Sequence, residues 1–443
     1  MPELLQLRTA TREIFDETLR AIDPHTAVLT SVRRNGSRIN VREISIDIGN
    51  RHIYSIAIGK AAPKMAAAID DLLGESLTSG VITSSAGTLS QVELSPRWQQ
   101  FYGGHPQPND QSLGAAEAVF DLLDRANEEG ALIIFLISGG GSAMIEWPSS
   151  DDISLADLRT ANKVLVNCGA SIAEINSVRR AFSAVKGGRL AARVPNSDQV
   201  TLIVSDVPKG QEWSVASGPT ILPPKDAPDA RAVIDKHELR DQLPKSIVRV
   251  VESEADAAAE NSPQVGPYFV LLDNEAVLAV AAEAAKQRGF IPEIVADISD
   301  QPIEDGCDLL LSRLAQLRAK HRGSGKSICL ISGGEFACPV RGEGIGGRNL
   351  ETALRLACTT NLSSSHTAAL FAGTDGIDGN SPAAGAIVDS TTSDRARKIG
   401  LDADDFLRRS DSYSFFIALG DVVATGATGT NARDIRLLIS EAD

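Results

Sequence analysis

Two nearly identical stretches, "LISGGGSAM" at residues 136–144 and "LISGGEFAC" at 330–338, each set a glycine cluster directly after an apolar run. Successive glycines let backbone N–H groups converge into a concave nest, which suits phosphate or carboxylate oxygens. Gly139, Gly140, Gly141 and Ser142 form the first candidate cradle, and Gly333, Gly334 and Glu335 form the second. Ser142 as a nucleophile is the rival use, but G-x-S-x-G is absent and no His or Asp stands at a diagnostic spacing. Ordinary tight turns between strands and helices are the plainer alternative; the neighbouring motifs argue against it.

Lys60 follows the strand pattern at 52–59 and opens an alanine-rich helix pattern at 61–73. Free amides at a helix start, its positive dipole end and a lysine together make an anion site. A cation there opposes the dipole, so it calls for a negative partner. Asp206 stands just after the apolar run 200–205, where a carboxylate can hold a metal or orient a hydroxyl, although capping is the commoner role. Ser217 in "ASGPT" adds a hydroxyl donor. In "RGEGIGGRNLE", 341–351, Gly342, Gly344 and Gly347 satisfy G-x-G-x-x-G, yet Pro339 spoils the preceding strand. No acidic residue ends a strand about twenty positions on, as ribose recognition requires. Gly346 and Gly347 with Arg348 read better as a polyphosphate clamp, because a guanidinium binds phosphate with two parallel bonds. Asp375, with Asp378 beside it in "GTDGIDG", supplies the few carboxylates that Mg²⁺ needs next to phosphate. His105 lies in a glycine–proline turn, where a lone histidine is usually structural.

The elements that must position these residues alternate along the chain. Strand patterns at 52–59, 80–83, 131–138, 200–205, 268–272, 327–332 and 368–373 are separated by helix patterns such as 112–126, 274–288 and 306–319. That alternation predicts an α/β protein with mainly parallel sheets flanked by helices. A chain of 443 residues exceeds what one core supports, so two domains are expected, 1–255 and 256–443, with the joint inside 240–266. Ligands of open parallel sheets sit at the carboxyl ends of strands, so the expected active site is a cleft between the two domains. A net charge of −15 opposes a nucleic-acid partner while leaving room for a local anion pocket. There is no signal-peptide pattern, no membrane span, and no paired cysteine spacing among five cysteines, so a cytoplasmic protein is expected.

Taken in order, "AIGKAA", "GGHPQP", "LISGGGSAM", "INSVRRAFSAVKGGRLA", "SDVPKG", "ASGPT", "LISGGE", "GGRN", "GTDGIDG", "AGAIVD" and "TGATGTN" resemble the glycerate 2-kinase family, whose C-terminal part is called MOFRL. Some members of that family were formerly labelled hydroxypyruvate reductase. The resemblance implies two α/β domains and ATP-dependent phosphorylation of D-glycerate at its C2 hydroxyl, with Mg²⁺. It also implies that Lys60 and Arg348 are active-site residues; the reading of the residues themselves adds Asp206, with Asp375 as second choice, to hold Mg²⁺ or orient the hydroxyl. The chain departs from the family at Lys209–Trp213, "KGQEW", where a Gly-Asp-Asp run is usual. The partners expected are ATP, a small hydroxy acid and a second copy in a homodimer. An NAD(P)-dependent hydroxypyruvate reductase and a non-catalytic organic-acid-binding protein are the rival readings.

Overall fold

Every strand pattern read from the sequence becomes a strand, but the two large sheets obey different rules. The computed structural model describes residues 2–254, 265–359 and 366–441. A small antiparallel ribbon comes first: β1 (Val32–Asn35), β2 (Arg38–Val41) and β3 (Ile44–Asp47). The second sheet contains β4 (Ile53–Ile58), β5 (Ser79–Ser84), β6 (Trp98–Tyr102), β7 (Leu132–Ser138), β8 (Asp198–Val204) and β9 (Tyr268–Leu272). Its order is β6-β5-β4-β7-β8-β9, and the pairings from β6 through β8 are parallel. All residues of β4 and β7 are buried, as expected for strands covered on both faces. Parallel neighbours need long crossovers. The helices Ala62–Leu73 and Asp110–Glu129 supply two of them. The second is fixed at its start by a reciprocal cap between Asn109 and Ser112.

From β4 the chain moves outward through β5 to β6, then returns to place β7 on the other side of β4. The carboxyl ends of β4 and β7 are therefore the topological switch point of this sheet, the usual ligand position in open α/β sheets.

The third sheet corrects the expectation of a mainly parallel arrangement. It contains β10 (Ile291–Ile294), β11 (Ser327–Gly334), β12 (Thr367–Gly373), β13 (Gly385–Asp389), β14 (Val422–Val423) and β15 (Asp434–Glu441), in the order β10-β11-β15-β12-β13-β14. Only β10 and β11 run parallel; every other pairing is antiparallel. The reason lies in the connections. Residues 374–384 join β12 to β13 with a loop too short for a crossover helix, and β15 enters between β11 and β12 against both of them.

The chain divides into one unit of Pro24–Leu271 and another of Met1–Asp23 with Leu272–Asp443. This differs from a single cut at residue 255, a position outside the described residues. The segment before Leu272 stays with the first unit because it lies beside β8, with the Thr201 amide donated to the Pro267 carbonyl at 3.0 Å. The first helix, Pro2–Ala21, belongs to the second unit, where it packs on β12 and on the helix Asn274–Gln287. Arg8 donates to Asp389 and to Asp421 (2.6 Å), and Arg288 donates to Glu17 at 2.7 Å. Both aspartates are buried. No helix among the described residues is long and apolar enough to cross a membrane.

Candidate functional site

Within Pro24–Leu271 the candidate residues converge on the carboxyl edge of the parallel sheet. Ile58 is level with Ile137, and Ser138 with Val204, so Lys60, Gly139–Ser142 and Asp206 all leave the sheet at that edge. The Lys60 amide donates to the Gly139 carbonyl at 2.9 Å, and the Ala61 amide to Ser138 Oγ at 3.0 Å. These bonds stitch the β4 and β7 turns together. Gly59 has φ +113°, and a Cβ there would stand 2.3 Å from the Ser138 carbonyl oxygen, so only glycine fits. A Cβ on Gly140 would lie 3.2 Å from Lys60 Cγ, which places the lysine stem directly over that glycine.

Ser142 meets the "ASGPT" turn. Its Oγ is 2.8 Å from Ser217 Oγ, which in turn donates to Asn176 Oδ1 at 3.1 Å. Ala216 and Ser217 both have positive φ, 52° and 63°, a conformation costing side-chain-bearing residues about 1–3 kcal/mol. Amide bonds help to hold it: Gly187 donates to the Ser217 carbonyl at 3.2 Å and Gly188 to the Gly218 carbonyl at 2.7 Å. The neighbouring Lys186 is fully enclosed and paired with Glu146, which also accepts from Ser183 Oγ at 2.5 Å. Burial pulls the Lys186 pKa down, although Glu146 opposes this. Lys186 is thus a post beneath the loops. Asp206 is half-buried, and Glu212, in the stretch that departs from the family pattern, accepts the Gly210 amide at 2.8 Å.

In the other unit the GGRN loop sits on the loop at 374–380. The Gly346 amide donates to Asn380 Oδ1 at 2.8 Å. Asp378, buried, accepts from the Asn349 amide (3.1 Å) and the Leu350 amide (2.8 Å), capping the helix Arg348–Ala357 from another loop. Burial pushes its carboxyl up to about 7, against the pull of those amides. Asp375 is half-buried and accepts from the Ile377 amide at 3.1 Å.

Arg348 is held by two acids. Its Nε donates to Asp434 Oδ2 at 2.6 Å, its Nη2 to Asp434 Oδ1 at 3.2 Å, and Nη2 lies 2.9 Å from Glu335 Oε1. Burial opposes its charge, but Asp434 and Glu335 outweigh burial and raise its pKa above the usual arginine value. Its side chain remains 35 % exposed, so the guanidinium is positioned without being covered.

The second glycine turn is built otherwise. Gly333 and Gly334 are still in β11, opposite Ile435 and Asp434. The Gly334 amide is donated to Asn274 Oδ1 at 2.9 Å and the Glu335 amide to Asp300 Oδ1 at 3.1 Å. Those amides serve the unit's own structure; what Glu335 offers the site is its carboxylate at Arg348. The glycines of G-x-G-x-x-G likewise have internal partners. A Cβ on Gly342 would be 2.6 Å from the Arg409 carbonyl oxygen, and one on Gly344 2.5 Å from Asp411 Cβ. β11 ends at Gly334, well before Gly342, so the strand–turn–helix setting of a dinucleotide fingerprint is missing.

Asn176, Asn274, Asp300 and Asp434 were not singled out from the sequence. Asp434 had a signal: with Arg436 it places two charges at i, i+2, hence on one face, in an otherwise apolar run. Among the described residues no group of three or more His, Cys, Asp or Glu could hold a metal. Mg²⁺ bound mainly through phosphate oxygens needs only one or two protein carboxylates.

Fold and turns together define an α/β protein with charged and glycine-rich turns at the switch point of a parallel sheet. Residues 10–252 match a family described as a domain of unknown function (DUF4147), and residues 328–434 match the MOFRL family. The chain is 32% identical to glycerate 2-kinase of Pyrococcus horikoshii, over 98% of both chains. It is 33% identical to an Agrobacterium vitis protein provisionally named hydroxypyruvate reductase, over 98% of this chain and 94% of the other. A crystal structure of glycerate kinase from Thermotoga maritima superposes with a TM-score of 0.81 at 30% identity, covering 98% of this chain and 100% of that one. The chain belongs to the glycerate kinase family that carries these two domains.

Proposed function

We propose that this protein is an ATP-dependent kinase that phosphorylates D-glycerate, or a related small hydroxy acid, at the C2 hydroxyl. The observation that carries this reading is the joining of Lys60 to the Gly139–Ser142 turn at the switch point of the parallel sheet. The names borne by relatives of nearly full length point the same way. Phosphoryl transfer asks a protein mainly for positioning and charge neutralisation. In this reading Lys60 and Arg348 neutralise the transferring phosphoryl and the substrate carboxylate. Gly139–Ser142 and Ser217 hold oxygens through amides and hydroxyls, and Gly346 and Gly347 let phosphate approach Arg348. Asp206, with Asp375 as second choice, would hold Mg²⁺, which supplies charge neutralisation on the phosphates. Asp434 and Glu335 keep the Arg348 fork aimed.

The test is ATP consumption with D-glycerate and a panel of small hydroxy acids, with the phosphorylated position assigned by ³¹P and ¹H NMR. ADP formation dependent on D-glycerate, on a divalent ion and on neither nicotinamide cofactor is the expected result. NADH oxidation with hydroxypyruvate, without ATP turnover, would replace the proposal with the reductase that the Agrobacterium relative's name suggests. Ligand binding without either reaction would leave a binding protein.

A further inference from the structure

The helix Ile172–Ala181 serves the Ser142–Ser217 pair through Asn176, and its other side chains open elsewhere. Ser177 and Arg180 line a cavity of about 480 Å³ together with Gly187, Arg189 and the segment from Pro223 to Arg231. Four cationic side chains border it: Arg180, Arg189, Lys225 and Arg231. The one carboxylate among its lining residues, Asp229, caps the helix Ala230–Lys236 by accepting from the Ala232 amide at 2.8 Å.

Arg180 is only 8% exposed, and its Nη1 has no hydrogen-bond partner; Ser177, 4% exposed, has none for its Oγ. An ionised guanidinium withdrawn from water with an idle donor is unfavourable unless something negative meets it. Burial first, then the charge of Arg189, depress the Arg180 pKa to about 10, which leaves it cationic at neutral pH. The Trp213 ring, 5.2 Å from the Arg180 guanidinium carbon, offsets part of this cost. The arrangement is built rather than incidental. Arg189 donates to the carbonyls of Arg180 and Ser183, so the two arginines are fixed side by side. Gly187, at φ +67°, would bring a Cβ to 3.0 Å from Arg180 Cδ. Glycine leaves that guanidinium room.

We infer that this cavity is an anion site for a phosphate group, free or carried by a phosphorylated small acid, separate from the Lys60 turn. Two adjacent guanidiniums and a hydroxyl match the several acceptor oxygens of a phosphate better than the two of a carboxylate. A cavity of about 480 Å³ has room for a three-carbon acid bearing that phosphate. The site is joined to the turn proposed above through the lining residue Gly187, whose amide donates to the Ser217 carbonyl. Phosphate binding does not require that the protein be a glycerate kinase, so the two readings fail separately.

Titration calorimetry of the whole protein with inorganic phosphate, and with 3-phosphoglycerate, tests this without any turnover. Lys60→Met, which removes the charge at the β4 turn, should still show one saturable binding event. Arg180→Gln should weaken it by about tenfold or more, and the rim variants Lys225→Ala and Arg231→Gln by smaller factors. Tighter binding of 3-phosphoglycerate than of phosphate would identify an organic ligand, and the reverse order free phosphate. Should Arg180→Gln fail to fold, the two rim variants decide alone. Binding abolished by Lys60→Met but kept by the rim variants would put the phosphate at the Lys60 turn and overturn the inference. So would the absence of saturable binding by either probe.

Discussion

The same five letters, LISGG, do different work in the two units. In the first, β7 stops at Ser138, and Gly140 turns at φ +80° beneath the Lys60 stem. In the second, β11 runs on through Gly333 and Gly334, because β15 lies antiparallel beside it and pairs with both glycines. A parallel neighbour leaves the strand end open for a ligand loop; an antiparallel neighbour continues the ladder across the same letters. Local sequence sets the turn potential, and the neighbouring strand decides whether it is used.

That contrast can be broken at its centre. Lys60→Met should lower kcat by two orders of magnitude or more with an unchanged melting temperature, since one preorganised charge contributes roughly 2.7–4 kcal/mol to a transition state. Steady-state ATP turnover and thermal unfolding, measured together, check it. Near wild-type kcat would remove the β4–β7 edge from the chemistry.

Arg348→Lys should cost somewhat less but still more than about tenfold, because an ammonium cannot keep the bonds to both Asp434 oxygens. Asp434→Asn should show a similar kinetic loss, since the amide keeps the shape and loses the charge that fixes the guanidinium. If Asp434→Asn alone is silent, Arg348 is held well enough by Glu335.

The two glycine turns should separate next. Gly334→Ala forces a Cβ to 2.5 Å from the Ser299 carbonyl oxygen, so it should destabilise by about 1–3 kcal/mol while activity per folded molecule persists. Gly140→Ala carries the same positive-φ strain, at +80°, but its Cβ meets only the flexible Lys60 stem at 3.2 Å, so it should lose less stability than Gly334→Ala and should also lose kcat. Denaturant midpoints set against specific activity would show a loss of activity per folded molecule in Gly140→Ala alone, and an equal loss in both would erase the distinction.

The smallest effect is a slope. Asp378 has its pKa raised from 3.8 to about 7, chiefly by burial, so the folded protein binds a proton there that the unfolded chain releases. Its contribution to stability is full below pH 3.8 and is lost as pH rises towards 7, by at most about 1.4 kcal/mol per pH unit. Asp378→Asn should flatten the dependence of unfolding free energy on pH across that window. An identical slope would mean that the amides of Asn349 and Leu350 keep the carboxylate ionised.

The parallel half was legible because β4, interrupted only by Ser55, and β7, apolar up to Ile137, are nearly pure apolar runs, with helix patterns at 61–73 and 112–126 between the strands. Lys60, the Gly139–Ser142 turn and Asp206 could be placed at strand ends for the same reason. The antiparallel half was harder. β15 was missed because Arg433, Asp434 and Arg436 break its apolar pattern, and these charges are buried only through partners such as Asp300, Arg348 and the Gly333 carbonyl. The meeting of Ser142 with Ser217 joins residues 75 positions apart. No local periodicity encodes it.

The docking of Pro2–Ala21 onto a sheet whose strands all lie beyond residue 290 has a consequence for synthesis. About 270 residues separate the end of the helix at Ala21 from the start of β10 at Ile291, so at about 5–20 residues per second the helix waits on the order of tens of seconds for its partners. Meanwhile its apolar face, with Leu7, Ile14 and Phe15, is exposed to chaperones and to other nascent chains. Coexpressing residues 1–23 as a separate peptide should rescue the solubility of a 272–443 fragment, and Arg8→Ala in that peptide should weaken the rescue. That face stays open until the distant strands have been made.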